Sequence, residues 1–370
     1  MVGSKFIPLM VPDIQQQDIE AVVEVLKSGM LVQSQNVEAL EKNISALLNI
    51  KHAIAVSNGT ASLHLALIAL GIKEGDEVIV PAFSYIASAN VIELVGATPV
   101  FVDIKLDSFN ISTELIEKAI TPKTKAILPV HEFGFACDIH EIKKIADKHH
   151  LKIIEDAACA LGAKENEIYV GTIGDIGSFS FHPRKAITSG EGGILVTNKD
   201  ALAKKLRALR NHGIEIQNGK MEFVLPGYNY RMTDFQAAML NSQIKRLPEI
   251  LKIKATFASF YLSGLKSESL LLPTIPPTKN HTWQSFHIVL DDKINRDDFI
   301  QKLKENNVGS NYGAQCIPCQ QFFKNKYKLD CEKLFPNSLR AYKQGIAIPL
   351  YEKLSMEEIH LITDTITRLI

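Results

Sequence analysis

Short apolar runs rich in β-branched residues recur along the first half of the chain, and stretches with helical periodicity separate them. Apolar runs of about four to eight residues predict buried strands, whereas apolar residues at three- and four-residue spacing predict helices. Their alternation is typical of a mostly parallel sheet flanked by helices, an α/β fold. The predicted strands are 52–56, 77–81, 98–103, 126–130, 152–156, 176–181 and 194–197, and the predicted helices are 61–71, 86–95, 113–120 and 138–149.

The pattern changes in the last third of the chain. A long helical run is predicted from about 234 to 265, interrupted at Pro248, and it leads into a stretch at 271–280 that contains three prolines. We place the domain boundary here. The expected organisation is a large α/β domain of residues 1–265 and a small α+β domain of residues 266–370. Helices of the small domain are predicted near 296–306 and from about Ser355.

Composition narrows the class of protein. The chain has 370 residues, 46% of them apolar and 22% charged, which is typical of a globular protein. Forty-one basic and 41 acidic residues give no net charge, which argues against a nucleic-acid or anionic-membrane partner. Any anionic ligand must then be held by a local site.

Cysteine usage and the N-terminus indicate the compartment. Five cysteines, an odd number spread between Cys137 and Cys331, do not form the dense framework of a small secreted domain. The first residues lack a signal-peptide core, and no apolar run approaches the roughly 20 residues of a membrane helix. We expect a cytoplasmic location.

A glycine-containing turn, Ser57-Asn58-Gly59-Thr60, separates the first predicted strand from the first predicted helix. Free N–H groups of Gly59, Thr60 and Ala61, with the positive end of the helix dipole behind them, would suit a phosphate dianion. A capped turn needs no ligand, so a purely structural turn stays the alternative.

Two further candidates follow predicted strands, where open α/β sheets bind their ligands. Asp156 ends the strand 152–156, and a carboxylate there usually meets a cation or a donor; capping of the next helix is the alternative. Lys185 follows the strand 176–181. Apolar neighbours there would disfavour its ammonium form and leave it nucleophilic, unless it is an ordinary solvated loop lysine.

A phosphate cradle, a strand-end aspartate and a strand-end lysine are the parts needed to hold pyridoxal phosphate. Asp156 would pair with the pyridinium nitrogen and keep it protonated, so that the ring accepts electrons. Lys185 would form the Schiff base with the cofactor.

The chain also resembles a known family along nearly its whole length. The segments SNGTASLHLAL, VIVPAFSYIASAN, VHEFG, IIEDAACALGA, SFSFHPRKAITSGEGG, LRNHG and GYNYRMTDFQAA are similar to the motifs of the DegT/DnrJ/EryC1/StrS aminotransferases. These are fold type I pyridoxal phosphate enzymes that act on nucleotide-linked keto sugars. The resemblance implies a seven-stranded, mostly parallel central sheet flanked by helices, with a small α+β C-terminal domain.

The resemblance implies roles in cofactor binding for individual residues. Lys185 is implied as the Schiff-base lysine and Asp156 as the partner of the ring nitrogen. Tyr85 matches an aromatic residue that stacks on the cofactor ring. Asn229 matches a residue that reaches the phosphate from the other subunit, which implies a homodimer with shared active sites. The residues implied for the phosphate within one chain are Gly59, Thr60, Ala61 and Ser180.

The resemblance also suggests where the substrate binds. His182 matches a histidine beside the lysine at the substrate end, and a packed strand-end histidine is the alternative. Arg231 and Arg184 are candidates for the pyrophosphate, although each could equally be a structural ion-pair member. Tyr312 is a further candidate for substrate binding.

Four residues depart from the family pattern or allow another interpretation. Cys159 stands where the family has Gln, His or Glu, so only a weak contact to the cofactor is expected. Cys316 and Cys319 stand where the family has Pro-x-His-x-Gln. With only Cys331 nearby and no second ligand pair, we expect neither a metal site nor a redox site. Trp283 could line the pocket, but a core position is favoured.

The activity implied by the resemblance is transfer of an amino group from glutamate to carbon 4 or carbon 3 of a nucleotide-linked keto-6-deoxy sugar. The product would serve O-antigen or another surface polysaccharide. A related dehydration route needs histidine in place of Lys185, and Lys185 argues against it. Amination of keto-inositols with glutamine stays open. A non-catalytic sugar-nucleotide binding protein is the remaining alternative, and the presence of both Lys185 and Asp156 argues against it.

Overall fold

The computed structural model describes residues 6–370. The helices of this range are α1 (Gln16–Ser28), α2 (Gln35–Leu48), α3 (Gly59–Ala69), α4 (Ala87–Leu94), α5 (Thr113–Ala119), α6 (Ile139–His149), α7 (Asp200–Arg210), α8 (Asp234–Gln243), α9 (Leu247–Gly264), α10 (Arg296–Glu305), α11 (Gln321–Tyr327), α12 (Cys331–Leu334), α13 (Pro336–Gln344) and α14 (Met356–Leu369). Three 3₁₀ turns accompany them, at Glu132–Gly134, Ile244–Arg246 and Ile317–Cys319.

The strands are mostly short. They are β1 (His52–Val56), β2 (Glu77–Pro81), β3 (Phe83–Ser84), β4 (Thr98–Val102), β5 (Thr124–Ile127), β6 (Lys152–Asp156), β7 (Lys164–Glu165), β8 (Ile168–Tyr169), β9 (Ile176–Ser180), β10 (Gly193–Thr197), β11 (Ile214–Gln217), β12 (Lys220–Phe223), β13 (Leu270–Leu271), β14 (Phe286–Leu290), β15 (Gln315–Cys316) and β16 (Gly345–Ile348).

Seven strands form the central sheet, in the spatial order β1-β10-β9-β6-β5-β2-β4. The pairs from β9 through β4 are parallel, and β10 alone runs antiparallel to both of its neighbours. The predicted mostly parallel, seven-stranded α/β sheet is therefore confirmed. All seven strands predicted from the sequence lie in it, although β5 ends at Ile127 rather than at residue 130. Pro129, which has no N–H to donate, lies just beyond that end.

Apolar side chains that point alternately to the two faces of the strands form an apolar core on each face of the sheet. In β2, Ile79 contributes to one core, whereas Val78 and Val80 contribute to the other. Successive side chains of a strand point to opposite faces, and both faces are covered by helices. This explains why these strands read as continuous apolar runs.

A third apolar core lies around the small antiparallel sheet β13-β14-β16, with contributions from α9, α10 and α14. Pro248 lies in the first turn of α9, so the predicted interruption of the long helix is the turn Ile244–Arg246. Near the N-terminus, Ile7 bridges to Val308 and packs into this third core. Among the helices of residues 6–370, none combines the length and apolar character needed to cross a membrane.

Strand β15 links the C-terminal region to the central part of the molecule. It pairs antiparallel with β3, with Gln315 opposite Ser84 and Cys316 opposite Phe83. Tyr85 directly follows β3. The C-terminal region therefore contributes backbone to the edge of the site described next.

Candidate active site

A cavity of about 690 Å³ lies where several strands of the central sheet end. Its volume is in the usual range for small-molecule sites. Asp156 is the last residue of β6 and Ser180 the last of β9, and both face the cavity. The predicted site residues that line it are Gly59, Thr60, Ala61, Tyr85, Asp156, Cys159, Ser180, His182, Arg184 and Lys185.

The start of helix α3 forms one wall of the cavity. Asn58 is its N-cap, and the Asn58 side chain accepts a hydrogen bond of 2.8 Å from the N–H of Ala61. The expectation that the Ala61 N–H is free for a ligand is therefore wrong, because the cap occupies it. The N–H groups of Gly59 and Thr60 lie in the first turn, where no helical carbonyl accepts from them.

Gly59 is required by close packing rather than by its backbone angles. A Cβ atom at this position would lie 2.9 Å from the Ser180 Cβ and 3.2 Å from the Ser180 Oγ. The helix start and the end of β9 thus approach each other closely enough to bring the Ser180 hydroxyl beside the first N–H groups of α3. Together they form a cradle suited to an anion.

The Asp156 carboxylate is buried and held from two sides. Its Oδ2 accepts a hydrogen bond of 2.7 Å from the Ser88 hydroxyl, and its Oδ1 accepts one of 3.1 Å from the Ala158 N–H. Burial raises the pKa of Asp156, and these two hydrogen bonds oppose that effect. Asp156 thus stabilises a local turn at Ala158, and no helix follows it directly.

Lys185 lies in the loop between β9 and β10. Its Nζ donates a hydrogen bond of 3.0 Å to the Sγ of Cys159. Burial acts to lower the pKa of Lys185, but interactions with Cys159, Asp156 and Glu132 outweigh it and raise the pKa. The predicted desolvation is present, but Cys159, Asp156 and Glu132 oppose its effect on the pKa of this amine, so the nucleophilic role of Lys185 stays a prediction.

Glu132 is a residue of the cavity wall that the sequence analysis missed. Its side chain is buried, and within residues 6–370 its Oε2 has no hydrogen-bond partner. Burial raises the pKa of Glu132 to about 8, and the nearby Asp156 adds to the effect. Glu132 lies two residues after the predicted strand 126–130. Because open α/β sheets bind ligands beyond the carboxyl ends of their strands, this position already made Glu132 a candidate site residue.

Cys159 and His182 contact the site from its other sides. Cys159 lies within hydrogen-bonding distance of Lys185, and burial raises the pKa of its thiol. His182 lines the cavity, and its Nδ1 accepts a hydrogen bond of 3.3 Å from the Arg184 N–H. Burial lowers the pKa of His182. A neutral imidazole is therefore favoured at this edge of the cavity.

Two predicted substrate residues do not line the cavity of this chain. The guanidinium of Arg231 donates a hydrogen bond of 2.6 Å to the side chain of Asn211, as a structural residue would. The ring of Tyr312 packs edge-on against Tyr342 and under the guanidinium of Arg296. Each of the two side chains has a partner elsewhere in this chain, and the substrate roles of Arg231 and Tyr312 stay predictions.

The structure places the three remaining predicted residues, Trp283, Tyr85 and Asn229, in different environments. Trp283 is buried and stacks between His281 and Phe286, so the favoured core position is confirmed. Tyr85 lines the cavity with 64% of its surface exposed. Asn229 is exposed and does not line the cavity of its own chain.

Comparisons with known proteins place the chain in a family. Residues 12–367 match the model of the DegT/DnrJ/EryC1/StrS aminotransferase family. The chain is 35% identical over 368 residues to SpsC, a spore coat polysaccharide biosynthesis protein of Bacillus subtilis (strain 168), covering 96% of this chain and 94% of SpsC.

Solved structures agree with that match. Spr1654 from Streptococcus pneumoniae, in its PLP form, is similar with a TM-score of 0.93 and 30% identity over 98% of both chains. PseC from Helicobacter pylori, an aminotransferase involved in the biosynthesis of pseudoaminic acid, is similar with a TM-score of 0.91 and 26% identity over 99% of both chains.

The match spans nearly the whole chain and agrees with the geometry of the cavity. It confirms the predicted fold type I and the predicted enzyme class, a pyridoxal phosphate-dependent sugar aminotransferase. The chain belongs to the DegT/DnrJ/EryC1/StrS aminotransferase family.

Proposed function

We propose that this enzyme transfers an amino group from glutamate to carbon 4 or carbon 3 of a nucleotide-linked keto-6-deoxy sugar. The observation that carries the proposal is the convergence of Lys185 and Asp156 on one cavity, beside the start of α3. The names of two relatives support the substrate class, since SpsC belongs to spore coat polysaccharide biosynthesis and PseC to pseudoaminic acid biosynthesis. An O-antigen or another surface polysaccharide is the proposed destination of the product.

The residues present fit pyridoxal phosphate. The N–H groups of Gly59 and Thr60 and the hydroxyl of Ser180 form a cradle with no room for a Cβ at Gly59, as a closely held phosphate requires. Asp156 would hold a proton on the ring nitrogen, and Tyr85 would stack on the ring. When bound, the cofactor supplies an electron sink for the carbanion that forms next to the transferred amine.

Lys185 would attach the cofactor covalently and then act as the proton carrier. Its freed Nζ takes the proton from the α-carbon of glutamate and later delivers a proton to the sugar carbon that receives the amine. Cys159 and Asp156 both lie close enough to influence the charge of this amine. In this proposal the two groups hold Lys185 in position between its proton transfers.

The proposed homodimer rests on exposed apolar surface. Within residues 6–370, strands β11 and β12 pair only with each other, and the side chains of Ile216, Met221 and Phe223 are between 59% and 69% exposed. Apolar surface of this kind marks an interaction site, and a second copy of the chain is the proposed partner. Asn229 of the partner subunit would then complete the phosphate site. A mass measurement in solution tests the dimer.

We also propose a cytoplasmic location. All five cysteines are free thiols, as a reducing compartment favours.

The function is tested by incubating the purified enzyme with glutamate and a panel of UDP-, dTDP- and GDP-linked keto sugars. The expected product carries an amine in place of the keto oxygen, with the aminated carbon identified by NMR. Turnover only of keto-inositols with glutamine would favour the aminocyclitol alternative. No turnover, with no yellow absorbance that borohydride bleaches, would favour a non-catalytic binding protein.

A further inference from the structure

Three cysteine side chains converge at one point outside the cavity. The Sγ atoms of Cys316, Cys319 and Cys331 all lie within 4.8 Å of one another. Cys316 is buried at the end of β15, while Cys319 and Cys331 are half-buried. The sequence showed a Cys-x-x-Cys with one cysteine twelve residues beyond it, but not that the third thiol joins the first two.

The spacing of the three sulfur atoms suits a tetrahedral metal centre. With Zn–S bonds of about 2.3 Å, the sulfur atoms of a tetrahedral zinc site are separated by about 3.8 Å. The Sγ atoms of Cys316 and Cys319 are 3.2 Å apart, and no pair of the three exceeds 4.8 Å. The separation of about 3.8 Å expected for zinc lies within this range. The half-buried side of the cluster leaves the fourth corner for water or another small ligand.

The backbone that carries the three thiols is already fixed by other contacts. Cys316 pairs with Phe83 across β15 and β3, and the Ile317 N–H donates a hydrogen bond of 2.8 Å to the Ala82 carbonyl. Cys331 begins α12, and its carbonyl accepts a hydrogen bond of 3.0 Å from the Phe335 N–H. A metal ion would therefore meet ligands that are held close together in advance.

The surroundings also suit the charge of such a centre. Three thiolates around one divalent ion carry a net negative charge. Lys324 on α11 and Lys343 on α13 lie near Cys319 and place positive charge beside the cluster. Soft thiolate ligands select zinc over calcium and magnesium.

We propose that Cys316, Cys319 and Cys331 bind one Zn²⁺ ion, which ties the end of β15 to the start of α12. A disulfide would use two of these thiols and leave the third without a role, whereas a metal ion uses all three. The ion would close the segment 317–330, which contains α11, into a loop with fixed ends. The proposal does not depend on the sugar substrate, because it rests on side chains outside the cavity.

The test measures zinc binding by the full-length, cofactor-loaded enzyme without an affinity tag. The protein is reduced with a phosphine, stripped by a chelator, and titrated with Zn²⁺ against a chromophoric competitor. We expect one equivalent to bind to the wild type. Cys316→Ala, Cys319→Ala and Cys331→Ala should each weaken binding by at least about 100-fold, since loss of a group that merely supports a ligand already costs about 10- to 100-fold. Cys137→Ala, a buried cysteine outside the cluster, is the matched control and should keep the wild-type affinity.

Substitution of Co²⁺ for Zn²⁺ provides a readout that needs no variant. We expect the visible bands of tetrahedral cobalt together with a thiolate-to-cobalt charge-transfer band. Reduced wild-type enzyme that binds no zinc, or zinc affinity that survives all three substitutions, would overturn the proposal. A cobalt complex without the thiolate band would do the same. Should the buried Cys316→Ala variant fail to fold, the cobalt spectrum and the Cys331→Ala titration still decide the question.

Discussion

Glu132 is a buried carboxylic acid of raised pKa near Asp156 and Lys185. Replacing it with a neutral residue should change how the free energy of unfolding depends on pH. The pKa of this carboxyl rises from an ordinary value of 4.5 to about 8 because it is buried. Between these values the folded protein keeps the proton that the unfolded chain has released. The stability that the neutral carboxyl confers is therefore fully present below pH 4.5 and is lost as the pH rises through about 8.

The size of the effect follows from about 1.36 kcal/mol per pH unit of separation. Relative to its value below pH 4.5, the free energy of unfolding of the wild type is lower by about 2 kcal/mol at pH 6 and by about 5 kcal/mol above pH 8, because of Glu132. Glu132→Gln keeps the shape and the neutral state at every pH. Its stability relative to the wild type should therefore rise by about 3 kcal/mol between pH 6 and pH 9.

Urea unfolding of the cofactor-free protein, followed by circular dichroism at several pH values, measures this difference. Glu167→Gln serves as the control, because the Glu167 side chain is 92% exposed. Its stability relative to the wild type should not change with pH. A difference between wild type and Glu132→Gln that is equal at pH 6 and pH 9 would refute the reasoning.

Three further substitutions test the site. Lys185→Ala should abolish the absorbance that borohydride bleaches and lower kcat by about 10⁴-fold, and transamination at a normal rate would contradict the assignment. Asp156→Asn should keep part of the cofactor affinity but lower kcat by about 10²- to 10³-fold; an unchanged rate would point to another ring partner. Gly59→Ala forces a Cβ to within 2.9 Å of the Ser180 Cβ. The resulting packing cost of about 1–3 kcal/mol should weaken cofactor binding by about 10- to 100-fold, which a fluorescence titration measures. A variant that binds the cofactor with wild-type affinity would show that the cradle can relax around the added methyl group.

The central sheet could be predicted from the sequence because most positions of its strands are buried, on both faces of the sheet. The apolar runs can be recognised without knowing the order of the strands in the sheet. Asp156 ends β6 and Lys185 follows β9, and both therefore lie at the same edge of the sheet. The strand ends were harder to predict, as β5 shows, because hydrogen bonding to neighbours decides where pairing stops.

Interactions between distant parts of the chain could not be predicted. The hydrogen bond from Ser88 to Asp156 joins residues 68 positions apart, and no local sequence pattern predicts it. The charge state of Lys185 likewise depends on Cys159 and Glu132, which lie in other segments. Arg231 was assigned by its motif, but its contact with Asn211 is a property of the folded chain.

The antiparallel strand β10 also determines when the site can exist during protein synthesis. Its partner β1 lies near the N-terminus, so that His52 pairs with Thr197, which lies 145 positions further along the chain. Such non-local pairing forms late, after the entropy of closing a long loop has been overcome. A nascent chain that ends before β10 leaves β1 without its strand partner, leaves β9 paired on one side only, with β6, and lacks the pairing that closes the Lys185 loop. The arrangement of the site around Lys185 therefore requires a chain that extends at least through β10.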